Sequence, residues 1–241
     1  MPLDEATREQ IRGIFHKFLS ARAQTIRNLR IEDLHINPFL IRILATEMGL
    51  SDAKSIVTWL VNQRLERGTV TAFGLALQEA AKVFSEGSAV EGADIMKTKS
   101  GRHYYIQVKS GPNTIPKDMG VRISQLLRSA QRRNRGSVAL FGMCYGNKQQ
   151  VSGIVRKYVE QEGGIEWLVG RDFWEFISDD AHCIEEIYRI AGEVGKEFKD
   201  TKGQSISEIL ESKIQDLLEQ FKGLYGAGGD EMWQNLLRRN S

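Results

Sequence analysis

Only two cysteines, Cys144 and Cys183, and four prolines occur in the 241 residues. Two cysteines make no disulfide framework and supply no paired ligands for a structural zinc. So few prolines, without any low-complexity tract, argue against a long disordered linker. No apolar run approaches the roughly 20 residues that cross a bilayer, so no membrane partner is expected. The first residues are charged and lack the apolar core of a signal peptide, which points to a reducing, cytoplasmic interior. Charge of one sign is lacking too: the net charge is +2. Any nucleic-acid partner must therefore be met by local patches. His16, His35, His103 and His182 have no metal-ligand spacing and read as structural or surface residues.

What is present is ordinary for a soluble globular chain, with 41% apolar and 27% charged residues. The length suits one large domain, or one domain with helical additions. Residues 4 to about 30 carry Ile11, Ile14, Phe15, Phe18, Leu19 and Ile26 at helical spacing, behind a capping Asp4. Asn37-Pro38 predicts a helix start and Gly49 its stop. Ser51 opens a helix closed by Gly68, and Thr71 opens a fourth that ends near Gly87. The period then changes. "ADIMK" and "HYYIQVK" read as strands joined by Ser100-Gly101. Lys97, Lys99 and Arg102 at that turn are expected to be exposed. A basic helix, "GVRISQLLRSAQRR", precedes "SVALFGMCY", a continuous apolar run of the kind buried on both faces. "IEWLVG" reads as a last strand. "RDFWEFIS", "IEEIYRIAGEVGKEF" and "SISEILESKIQDLLEQFKGLYG" read as helices. Trp174 with Phe173 and Phe176 reads as core. The stripe Ile206, Ile209, Leu210, Ile214, Leu217, Leu218 and Phe221 reads as packing, within the chain or across a dimer.

Strand side chains alternate between faces. His103, Tyr105, Gln107 and Lys109 therefore point one way, and Tyr104, Ile106 and Val108 the other. A hairpin can bring Asp94 opposite the end of the second strand. A carboxylate, an amide oxygen and an ammonium then meet at one sheet edge, a set suited to a hard divalent ion and a phosphodiester. The same residues also describe an exposed cross-strand Asp–Lys pair, worth ~0.2–1 kcal/mol.

The helix–strand–strand order and "D94…IQVK109" resemble the PD-(D/E)XK nuclease superfamily. "NPFLIRIL", "VKSGPN", "LFGMCYG" and "GRDFWEFIS", in that order over roughly residues 35–190, resemble a group of type II restriction endonucleases. The resemblance implies a mixed-sheet α/β restriction-endonuclease-like core with an N-terminal helical layer and C-terminal helices. It divides the chain into a helical region, 1–70, and a nuclease core with C-terminal helices, 71–241, compact as one domain overall. It implies Mg²⁺, no organic cofactor, sequence-specific double-strand cleavage of DNA to 5′-phosphate ends, and a homodimer in a prokaryotic cell. The superfamily's first acid falls on Asp94 and its lysine on Lys109. Its second acid falls on Gln107, a departure that removes one negative charge. Ala93 stands where the superfamily has proline. A helix glutamate falls on Glu79, which also reads as a solvated carboxylate, and the Val108 carbonyl becomes a further metal ligand.

Arg128, Arg132, Arg133 and Arg135 form the densest basic stretch, with Lys117 and Arg122 nearby. They read either as a DNA-facing surface or as the solvated side of an amphipathic helix. Ser110 and Asn113, in a polar loop with Pro112 and Pro116, read as backbone contacts or as a connector. A repair or junction-resolving nuclease, and a catalytically inactive DNA-binding relative, remain the alternatives.

Overall fold

A computed structural model describes residues 3–87, 90–113 and 115–241. Thr114, within the polar loop after the second strand, lies outside the described residues. Two compact units are present: Met1–His16 with Phe73–Lys196, and Lys17–Ala72 with Glu197–Ser241. That grouping differs from a division at residue 70, because the last two helices join the early helices and not the sheet.

The first unit holds a four-stranded mixed sheet. Strands β1 (Ile95–Lys99) and β2 (Arg102–Lys109) form an antiparallel hairpin, and β3 (Val138–Met143) and β4 (Glu166–Val169) follow in parallel, in the order β1-β2-β3-β4. The hairpin turn works because Ser100 and Gly101 both adopt positive φ, 51° and 73°. That is the primed turn whose twist matches the flanking strands. A basic helix, here α4 (Lys117–Arg133), connects β2 to β3. A π-helical segment, Val155–Gln161, lies between β3 and β4. Nothing in the sequence period announces that segment.

Ile123 and Leu127 of α4, with Val155 and Val159, cover the sheet face that carries Ala139, Phe141 and Met143. The opposite face carries Ile106, Val108 and Leu140, all at most 2% exposed. A short helix, α5 (Arg171–Ser178), approaches there so closely that a Cβ on Gly142 would sit 2.2 Å from the Phe173 ring. Only glycine permits that contact. The Trp174 indole N–H donates to the Cys144 carbonyl at 2.7 Å, and its ring meets Phe84 edge-on. Trp174 is therefore core, as its spacing predicted.

Lys97 is not exposed as expected. Its side chain is 10% accessible, with Nζ 2.8 Å from Glu86 and 2.8 Å from Asp179. Asp179 comes from beyond α5, so the local sequence gave no warning.

The second unit is helical. Helices α2 (Pro38–Met48), α7 (Ile206–Tyr225) and α8 (Gly229–Arg239) contribute Ile41, Leu217, Leu218, Phe221 and Met232 to one apolar core. The stripe on α7 thus packs within the chain. Asn37 caps α2 by accepting the Leu40 N–H at 3.0 Å, and Gly49 ends it at φ 65°. The division between units falls inside α1 (Glu5–Arg27), inside α3 (Ala53–Lys82) and near the end of α6 (Cys183–Glu197).

Helix α3 is one helix of 30 residues, not two. Glycine inside a helix costs about 1 kcal/mol relative to alanine, too little to end one that packs well on both sides. Thr69 returns its hydroxyl to the Leu65 carbonyl at 2.7 Å, a bond compatible with uninterrupted helix.

Candidate active site

The parallel strands end together. Lys109, Met143 and Val169 therefore lie at one edge of the sheet, and β1 begins there, just after Asp94. The Asp94 N–H donates to the Ile106 carbonyl at 2.8 Å, which continues the hairpin register and sets Asp94 opposite Gln107. Its side chain then turns onto β2. Oδ2 accepts the Val108 N–H at 2.8 Å and a bond from the Gln107 carboxamide. Oδ1 is left open toward the Lys82 ammonium, 4.0 Å away. That ammonium also holds Glu79 Oε1 at 2.8 Å, one turn back on α3.

Lys109 follows Gln107 by two residues and so shares its face, diagonal to Asp94 at roughly 7–8 Å. Its carbonyl accepts the Cys144 N–H at 3.0 Å, which ties the strand end to β3. The Val108 N–H points to the β1 side, and the carbonyl of an extended residue points the same way. It opens beside Asp94. Tyr105 lies on the same face as Gln107 but is buried with Ala93 and Ala130. At the end of the strand nearest Asp94 the face is thus polar at Gln107 and Lys109.

Four charged groups result: carboxylates on Glu79 and Asp94, ammoniums on Lys82 and Lys109. Cys144 lies beneath them and is no nucleophile. Burial, and then the charge of Asp94, push its thiol far above the usual range. Among the described residues no three His, Cys, Asp or Glu side chains cluster as a ready-made metal cage. Two carboxylates bridged by Lys82, a carboxamide whose N–H now faces Asp94, and the Val108 carbonyl put hard oxygen donors at this edge. They fit a Mg²⁺ ion that keeps several of its waters.

The motifs quoted from the sequence meet around this edge. The Tyr145 ring lies against Gly111, Pro112 lies against Gly146, and the Gly146 carbonyl lies against Gly170. "NPFLIRIL" is separate, on α2 of the helical unit.

Not every predicted DNA contact is at this edge. Ser110 and Asn113 follow Lys109 directly, and Lys117 and Arg122 lie in the first half of α4. Helix α4 then runs back to the start of β3, where Val138 pairs with Tyr104. Lys109 lies five residue steps along the strand from Tyr104, about 16 Å. Arg132, Arg133 and Arg135 therefore lie near the opposite edge. Arg133 is bonded to the Glu91 carboxylate at 2.8 Å and to its carbonyl at 2.9 Å. Arg128 donates to the Gly163 carbonyl. Both are thus engaged by other parts of the fold.

Lys148, Arg156 and Lys157 are basic residues that the sequence did not single out, whereas Lys117 was singled out. Lys117 and Lys157 stand on the Tyr158 ring at 5.4 and 5.3 Å, and Arg156 stands on Trp167 at 5.6 Å. Arg156 also donates to the Lys148 carbonyl at 2.6 Å. Lys82 was missed as well, although its three-residue spacing from Glu79 was visible.

A family model described as Type II restriction endonuclease EcoO109I matches residues 5–199. The chain belongs to that family. The matched span contains the whole sheet, Asp94, Gln107, Lys109, Glu79 and Lys82. Membership in the EcoO109I family makes the chain a site-specific nuclease that binds DNA. A comparison with curated proteins finds no match for the chain. Helices α7 and α8 lie beyond the span matched to the EcoO109I family.

Proposed function

We propose that the chain is a Mg²⁺-dependent endonuclease with a PD-(D/E)XK core, cutting both strands of a specific duplex site. The observation that carries this is Asp94, with one oxygen bonded to β2 and the other open beside Glu79, diagonal to Lys109. Asp94 and Glu79 would hold the metal, with the Val108 carbonyl and the Gln107 carboxamide, once rotated, completing the protein's share. Bound there, Mg²⁺ neutralises charge on the scissile phosphate and lowers the pKa of a coordinated water. Lys109 holds the attacking water and faces the charge that builds on the phosphorane. Water adds to phosphorus, the P–O3′ bond breaks, and the departing oxygen takes up a proton. The ends are 5′-phosphate and 3′-hydroxyl.

Lys117, Lys148, Arg156 and Lys157, with Ser110, Asn113 and Arg122, would meet the DNA backbone. Two symmetric copies suit a two-fold site cut on both strands, so the active form is a homodimer. Phe39 and Ile43 on α2, 72% and 76% exposed, give the helical unit an apolar surface for such a contact. Light scattering on the purified protein checks the dimer.

Plasmid digestion with Mg²⁺ tests the activity. Discrete fragments are expected, with end-sequencing returning one site, and Asp94→Asn stopping cleavage while duplex binding persists. Cleavage that follows DNA structure and ignores sequence would identify a repair enzyme. Salt-dependent binding without any cleavage would identify an inactive relative, consistent with the neutral Gln107.

A further inference from the structure

We propose that Lys82 is an internal counter-ion that competes with the divalent cation: it holds Glu79 and Asp94 while the metal is absent and is released toward DNA phosphate when the metal binds. This rests on the reading of Asp94 and Glu79 as metal-holding groups and adds a regulator to them.

The geometry is specific. One ammonium stands 2.8 Å from Glu79 Oε1 and 4.0 Å from Asp94 Oδ1, within reach of both carboxylates. Glu79 and Lys82 are three apart on α3, hence neighbours on one helix face. Asp94 comes from the loop entering β1, so Lys82 links the helix to the sheet at the point where the acids meet. The bond to Glu79 is short and that to Asp94 long, so the second carboxylate is held by charge without a hydrogen bond. With Gln107 neutral, two carboxylates face two ammoniums and the site carries no net charge.

A divalent cation entering this space meets Lys82 as a like charge. Lysine can withdraw, because its charge sits on a flexible four-carbon stem and its side chain is 38% exposed. Once displaced, the ammonium lies beside the place where a phosphate would approach the metal. Metal and DNA then favour each other, because each gains from the displacement of the same lysine.

Mn²⁺ titration of the full-length protein without DNA, followed by electron paramagnetic resonance, tests this independently of cleavage. Lys82→Met is expected to tighten Mn²⁺ binding about tenfold, the effect of removing one positive charge a few ångströms from a divalent ion. Lys82→Arg, which keeps the charge, is expected to bind like the unaltered protein. Asp94→Asn is expected to lose the site. Unchanged or weaker Mn²⁺ binding by Lys82→Met, with binding still lost in Asp94→Asn, overturns the counter-ion role and leaves the nuclease reading standing. Mn²⁺ binding that is indifferent to Asp94→Asn overturns both. Thermal melting of each variant confirms that the fold is retained.

Discussion

Lys97 and Lys82 each stand between two carboxylates in the sheet-bearing unit, with the same charges and different surroundings. Lys97 Nζ is 2.8 Å from both Glu86 and Asp179, and its side chain is 10% exposed. The second oxygen of Glu86 accepts the Thr98 N–H at 2.8 Å, and Lys99 holds the second oxygen of Asp179 at 3.0 Å. Every oxygen in that cluster has a partner. Around Lys82 the long contact leaves Asp94 Oδ1 open, and the lysine is 38% exposed. A saturated cluster has nothing left to offer a ligand and serves to pin the chain. An unsaturated one beside a sheet edge can exchange its internal cation for an external one. Shared composition therefore does not imply a shared role; the difference lies in how many acceptors remain unfilled.

The sharpest way to break this contrast is to measure cleavage at both ends. Lys109→Ala is expected to lower single-turnover cleavage by roughly 10³-fold, the order for removing a group that stabilises a developing charge. Lys97→Met is expected to leave that rate essentially unaltered. If Lys97→Met costs as much activity as Lys109→Ala, the division into a pinning cluster and a working one is wrong.

Stability should show the reverse. Lys97→Met leaves two carboxylates without their main partner and is expected to lower the unfolding free energy by about 1–3 kcal/mol, read by urea denaturation. Lys82→Met removes a half-exposed pair and is expected to cost less than about 1 kcal/mol.

The smallest effect lies in the acid limb. Lys97 holds the carboxyls of Glu86 and Asp179 below their usual range, chiefly by hydrogen bonding. A carboxylate lowered in the folded state stabilises the fold above its unfolded pKa, about 4, and that contribution fades as pH falls through the folded value. The unaltered protein should therefore lose stability on acidification below about pH 4. Lys97→Met should lose less over the same interval. Parallel curves of denaturation midpoint against pH would contradict the assignment.

Much of this was legible beforehand, for identifiable reasons. Asn37-Pro38, Gly49 and Ser100-Gly101 act through local backbone preference, which a sequence displays directly. The placement of Gln107 and Lys109 on one face opposite Asp94 was legible because alternation along a strand fixes faces before any tertiary structure is known. The clusters around Lys82 and Lys97 were not found, because one partner of each, Asp94 and Asp179, arrives from another element of the chain. The basic run ending α4 misled for a related reason. Its charge density was plain, but a crossover helix must return to the start of the next strand, so its last turn is carried away from Lys109. Gly68 misled because a glycine is only a weak break when both flanks pack well.

The two sulfurs have a practical consequence. Cys144 and Cys183 are both buried, and burial pushes the Cys183 thiol up to about 11. A thiol reagent added at neutral pH finds no thiolate to attack until the sheet-bearing unit opens. Labelling rate is thus a built-in clock for local opening, and comparing the two sulfurs by mass spectrometry would show whether the floor of the working edge loosens before the helix behind it.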